Sequence, residues 1–171
     1  MLHLNEEPIE KQSKLFPKMN SFMTAALKAA LAGAQAGEVP VGAVLVHQGS
    51  ILSTAHNLTR TNKDPTAHAE MLVIREGAAL LDAERLRECD LFVTLEPCPM
   101  CATALSFARI RRLYFGAYDP KGGGVDHGPC IFNHVTCHHR PEIIGGVMEA
   151  PCGQILKDFF SHKRADKTRT P

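Results

Sequence analysis

The sequence predicts a single α/β domain, and three observations predict it. Short continuous apolar runs bounded by turn residues alternate with longer stretches whose apolar residues recur every three to four positions. Between residues 91 and 116 the order is strand, helix, strand, which favours parallel pairing through a right-handed crossover. The chain has 171 residues, within the roughly 100–200 usual for one domain, and no internal repeat or low-complexity block divides it.

Taken in order, residues 1–16 read as a flexible extension and residues 17–165 as the folded domain. From Pro17 or Ser21 the spacing of Phe22, Met23, Ala26, Leu27, Ala30 and Leu31 predicts a helix that weakens at Gly33 and Gly37. Residues 39–46 form an apolar run, a buried strand. Gln48-Gly49-Ser50 supplies turn chemistry, and residues 51–58 return as the second strand of a hairpin. Residues 61–65 are polar loop. Asp64 or Thr66 is a plausible cap for a helix over about 67–81, with Pro65 suited to its first turn. Residues 91–95 are a third strand. Pro99 marks the start of a helix through Ala108, and residues 112–116 are a fourth strand. Residues 117–140 carry little pattern beyond the loop Lys121-Gly122-Gly123-Gly124. Residues 141–147 fit a short strand or helix. Residues 148–163 are an amphipathic helix with Ile155, Leu156, Phe159 and Phe160 on one side, followed by a basic tail that includes residues 166–171.

Composition excludes some functions. A net charge of +1 does not mark a general nucleic-acid binder, so any such contact must come from local clusters. No run approaches the length of a membrane span, and the charged N-terminus lacks the apolar core of a secretory signal. The six cysteines are then most simply cytosolic thiols, apart from those a metal claims.

Chemistry concentrates in His68-Ala69-Glu70 and Pro97-Cys98-Pro99-Met100-Cys101. Alone, C-x-x-C also fits a redox pair or two inert thiols, and H-x-E merely decorates many helix starts. Together they make a ligand set. Cys98 and Cys101 lie one helical turn apart, so both sulfurs can face one ion. With His68 they give three protein donors, the number found at a catalytic zinc that keeps its fourth position open. Such an ion lowers the pKa of water from 15.7 to about 7, making hydroxide roughly 12 kcal/mol easier to form. Glu70 is left as the carboxylate that takes up and returns the proton. Residues i and i+2 do not share a helix face, so Glu70 can serve only if the metal lies at the helix start. A backbone N–H near Ala69 or Cys98 is available to orient a substrate base. Cys130, Cys137, His138 and His139 read as loop thiols and surface histidines, because C-x6-C-H-H is not a standard ligand spacing.

The joint pattern H-x-E…P-C-x-x-C is the signature of zinc nucleobase deaminases. Over residues 21–116 and again in the last helix the chain resembles the bacterial tRNA adenosine deaminases of the cytidine-deaminase superfamily. The supporting segments are residues 38–44, Asn57, residues 64–70, residues 94–102 and Phe115-Gly116-Ala117-Tyr118-Asp119. The resemblance implies a three-layer α/β/α fold around a five-stranded mixed sheet, a homodimer, one zinc ion per subunit, and conversion of adenosine to inosine at the wobble position of an anticodon loop. It places the zinc on His68, Cys98 and Cys101 and the proton shuttle on Glu70. It further implies that Asn57 touches the target nucleoside, Val39 and Leu95 pack on the base, Asp119 contacts the neighbouring sugar backbone, and Lys163 and Arg164 meet the RNA. The stretch 122–140 departs from the family pattern.

The expected activity is therefore zinc-dependent deamination of adenosine within a tRNA anticodon stem-loop, in the cytoplasm and without a membrane. Deamination of a free guanine- or cytosine-type base on the same fold is the alternative. A non-catalytic zinc module that binds RNA is a third reading, in which Glu70 would be dispensable.

Overall fold

The structure is a computed structural model that describes residues 9–167, with side chains described for residues 19–165. Its elements run α1 (Ile9–Gln35), β1 (Gly42–His47), β2 (Ser50–His56), α2 (Ala69–Leu80), β3 (Cys89–Leu95), α3 (Pro99–Phe107), β4 (Arg112–Ala117), a 3-10 turn (Ile131–Asn133), β5 (Glu142–Ile144) and α4 (Glu149–Lys167). Helix α1 begins at Ile9, ahead of the expected start at Pro17 or Ser21, so residues 9–16 of the expected extension are helical backbone. Residues 1–8 of that extension and residues 168–171 of the basic tail lie outside the described residues.

The strands form one mixed sheet in the order β2-β1-β3-β4-β5. Strand β1 is antiparallel to both β2 and β3, whereas β3–β4 and β4–β5 are parallel. The hairpin between β1 and β2 turns at Gln48 and Gly49, both with positive φ, the geometry a two-residue turn needs to match strand twist. Residues 142–144, which the sequence left between strand and helix, pair with Arg112–Tyr114 as the edge strand.

Side chains alternate across the sheet and sort the core into two layers. Ala43, Leu45, Leu91, Val93, Leu113 and Phe115 face α2 and α3, meeting Val73, Ala102 and Leu105. Val44, Val46, Phe92 and Tyr114 face the other way, onto Met23 and Ala26 of α1 and Cys152 of α4. The architecture is the three-layer α/β/α sandwich expected. Because β2 is antiparallel to β1, and β1 to β3, strands β2, β3 and β4 all run in one direction. Their carboxyl ends share one edge of the sheet, the usual place for a site in such a fold. The connection to α2, the connection to α3 and the loop after β4 all leave from that edge.

Candidate metal centre and active site

Two helix starts meet at this edge. His68 is the N-cap of α2 and Cys98 the N-cap of α3, both in extended conformation. Pro99 fills the first helical position, where its fixed φ suits a helix and its missing N–H costs nothing. Asp64, one of the expected caps, instead closes a turn by accepting from the N–H and hydroxyl of Thr66 at 2.8 and 2.7 Å. Neither helix start has a side-chain cap from its own N-cap residue. The two helix starts therefore put the positive ends of their dipoles beside whatever sits between them.

What sits there is the expected donor set. His68 Nδ1 lies 3.7 Å from Cys98 Sγ and 3.6 Å from Cys101 Sγ. The three donor atoms lie within 4.8 Å of one another and form the one such cluster among the described residues. Zinc bonds of about 2.3 Å to sulfur and 2.0–2.1 Å to nitrogen, at tetrahedral angles, put nitrogen and sulfur roughly 3.6 Å apart. The observed spacing fits that ion. Cys130, Cys137, His138 and His139 form no metal cluster. Cys137 Sγ sits 3.4 Å from Ser106 Oγ, and a ring nitrogen of His139 lies 2.6 Å from the Ile110 carbonyl.

Charge in the cluster follows its geometry. Cys98 is drawn down to about 4 by the hydrogen bond from Cys101, with help from His68. Cys101 is pushed up by sharing that same proton and by burial. The sulfur of Cys98 raises His68. Burial raises Glu70, which is 3% exposed. Among the described residues, Glu70 Oε2 is the one fully buried side-chain oxygen or nitrogen without a protein hydrogen-bond partner. A bare carboxylate oxygen beside three soft and imidazole donors is what an ion with an open position, and a substrate at it, would complete. The i, i+2 difficulty disappears because His68 precedes the first helical residue, so its side chain is not bound by helix spacing.

The structure distributes the other expected residues unevenly. Asn57 is buried, and its Oδ1 accepts from the N–H of Ala69 at 2.9 Å. Asn57 thus caps α2 from outside and fixes the residue between His68 and Glu70. The Ala69 N–H, expected to orient a base, is taken by that bond. Val39 and Leu95 are half-buried and pack against the core. Asp119 Oδ1 accepts from the N–H groups of Lys121 and Gly122 at 3.1 and 3.0 Å. At the far end of α4, Lys163 Nζ rests 4.7 Å from the centre of the Phe159 ring, and Arg164 donates to Ser161 Oγ at 3.2 Å.

Two glutamates went unread in the sequence. Glu38 is fully buried and accepts from Arg60 N, Thr61 N, Thr59 Oγ1 and Thr61 Oγ1 at 2.7–3.2 Å. Glu96 is 2% exposed and accepts from the N–H groups of Asp119, Val125, Asp126 and His127, with His127 Nδ1 at 2.7 Å from its Oε2. Burial alone would raise both carboxyls. The Thr61 and Arg60 donors hold Glu38 below its ordinary value, and those of Asp119, His127 and Asp126 do the same for Glu96. The available signal was a charge at the end of an apolar run: Glu38 before 39–46, Glu96 after 91–95.

Comparison with known proteins agrees with this geometry. Residues 17–117 match the family described as the cytidine and deoxycytidylate deaminase zinc-binding region. The chain is similar to a tRNA-specific adenosine deaminase of Agrobacterium fabrum, 52% identical over 145 residues, which spans 85% of this chain and 95% of the relative. A solved structure described as a study of A-to-I editing by tRNA:A34 deaminases at the wobble position of transfer RNA superposes with a TM-score of 0.79 at 51% identity, covering 80% of this chain and 99% of that one. A guanine deaminase of Bacillus subtilis reaches a TM-score of 0.55 at 39% identity, covering 57% and 63%.

Proposed function

Because the chain belongs to the cytidine and deoxycytidylate deaminase family, and within it stands with the tRNA-specific adenosine deaminases, we propose that it hydrolyses adenosine to inosine at the wobble position of a tRNA anticodon loop. The observation that carries this reading is the convergence of His68 Nδ1, Cys98 Sγ and Cys101 Sγ beside the unpartnered Glu70 Oε2. His68, Cys98 and Cys101 hold one zinc ion. When bound, the ion supplies Lewis acidity that makes hydroxide available near pH 7.

The protein's own groups do the rest. Glu70 accepts a proton from the attacking water at Oε2 and delivers it to a ring nitrogen of the purine; it then takes the remaining proton from the new C6 hydroxyl and passes it to the amine, which leaves as ammonia as the C6–N bond breaks. Burial keeps that carboxyl free of competing solvent. Asn57 holds the Ala69 backbone and turns its remaining amide edge to the nucleoside. Val39 and Leu95 flank the base, which must leave its stack to reach the cluster. Asp119 lies at the adjoining sugar, and Lys163 and Arg164 meet phosphates from the end of α4. The domain comprises residues 17–165, acts in the cytoplasm, and works as a homodimer. The exposed Phe107 and the loop that includes His134, Thr136 and His138 line one groove that a second copy can cover. No described helix is long and apolar enough to cross a membrane.

Relatives do not favour the free-base alternative: the tRNA deaminase covers far more of the chain, at higher identity, than the guanine deaminase does. The deciding experiment is mass analysis of nucleosides after incubating total tRNA with the zinc-loaded protein, with free guanine and cytosine in parallel. Inosine should form in tRNA and its yield should fall to background after chelation. Turnover of a free base without inosine in tRNA would overturn the reading.

A further inference from the structure

We propose that Glu96 is a positioning residue, which presets the loop of residues 119–127 against the Cys98 turn so that the loop receives substrate. The inference rests on the tRNA reading above.

The loop has no strand or helix of its own between Ala117 and Ile131. Much of its shape is set from one point. Glu96 Oε2 takes the N–H of Asp119 at 2.9 Å, and Oε1 takes those of Val125, Asp126 and His127 at 3.2, 2.9 and 2.9 Å. The His127 ring adds Nδ1 at 2.7 Å and meets Tyr118 edge-on at 6.0 Å. One carboxylate thus ties both ends of a nine-residue segment to the residue two before a zinc ligand.

The loop's middle is fitted to the same turn. The Gly124 N–H donates to the Pro97 carbonyl at 2.8 Å. A Cβ on Gly124 would fall 2.6 Å from Pro99 N, and one on Gly123 would fall 2.5 Å from the Glu96 carboxyl. Close approach of loop backbone to cysteine turn is therefore built in. The loop begins with Asp119 and presents His127, whose side chain is 35% exposed while that of Glu96 is 0% exposed. A surface ordered before the substrate arrives binds it without an ordering cost at that moment. Glu96 does not reach the orphaned Glu70 oxygen, so its loss should appear in binding rather than in turnover.

The test is steady-state kinetics of the zinc-loaded protein on an anticodon stem-loop, with zinc content measured for each variant. Glu96→Gln keeps the shape but turns an amide N–H₂ against N–H donors. Its KM should rise about tenfold or more while kcat stays within about threefold, the pattern of lost uniform binding. Glu96→Asp, which restores the charge, should recover part of that loss. His127→Phe removes only the imidazole hydrogen bond to Glu96, at a partly exposed position, and should raise KM by a smaller factor; if Glu96→Gln does not fold, this variant decides alone. A fall in kcat matching the fall in kcat/KM, or an unchanged KM in both variants, overturns the inference. Absence of inosine with the unaltered protein overturns the tRNA reading and this inference with it.

Discussion

Glu70 and Glu96 are both buried carboxylates, and each lies two residues along the chain from a zinc-ligand position, Glu70 after His68 and Glu96 before Cys98. Burial pushes each toward the neutral form. They differ in what the backbone offers. Glu96 collects four backbone N–H groups and an imidazole, and ends below its ordinary value. Glu70 keeps one oxygen with no protein partner and ends above its ordinary value. An unmade hydrogen bond on a buried polar group costs about 1–3 kcal/mol. A fold that leaves one beside three metal donors, while satisfying a second carboxylate in full, treats the two differently, as the proposed roles of proton transfer for Glu70 and loop support for Glu96 require.

The sharpest way to break this comparison is to neutralise the unpartnered carboxyl. Glu70→Gln should retain one zinc per chain and a melting temperature equal to or above that of the parent. Its kcat should fall by about 10³-fold, within the 10²–10⁴ range for a lost general acid–base. Metal analysis, a thermal melt and single-turnover inosine formation check it. A variant that loses zinc, or keeps more than about a tenth of its turnover, would show that Glu70 supports the ligands instead of moving protons.

The two carboxylates were not equally legible. His68, Glu70, Cys98 and Cys101 stand in two short motifs, each at a helix start, and their joint pattern, a known signature of zinc deaminases, pointed to one ion. The sheet was legible for the same local reason, since residues 39–46, 91–95 and 112–116 are apolar runs between turn residues. Glu96 was hidden because its partners are 23–31 residues along the chain and lie in the segment with the least pattern. Glu38 was hidden likewise, reaching Thr61 across 23 residues. The start of α1 was misplaced because Pro17 suits a first turn, yet the helix runs through it from Ile9. The bond from Ala69 N–H to Asn57 could not be read from either residue, because only the fold brings the end of β2 against the start of α2.

A smaller effect sharpens the comparison from the loop side. Gly124→Ala places a methyl 2.6 Å from Pro99 N and 2.9 Å from the Cys98 carbonyl carbon, and neither is the free end of a flexible side chain. Overpacking of this kind costs about 1–3 kcal/mol. The loop should move off the cysteine turn, lowering the melting temperature and raising KM for the stem-loop, while kcat, whose chemistry is proposed to rest on Glu70, stays largely intact. Equal losses in KM and kcat would mean that the loop and the proton-transfer side are one mechanical unit.

The smallest effect comes from Glu38, the other fully satisfied carboxylate. Glu38→Gln replaces an acceptor of several bonds with a group that can accept at only one of its two ends. It should cost about 1–3 kcal/mol at neutral pH and change kcat little. Its pH dependence carries the test. Donors from residues 59–61 hold Glu38 below the ordinary 4.5, so the folded state binds this proton less readily than the unfolded state does. The stabilisation is complete above 4.5 and is lost as pH falls through the lowered folded value. Glu96 is present in both proteins and cancels. Melts of parent and variant should therefore differ by a constant amount from neutral pH down to about 4.5 and converge below it. A gap that widens in acid would mean that Glu38 is carried protonated in the fold, and that the division between satisfied and unsatisfied carboxyls does not extend to Glu38.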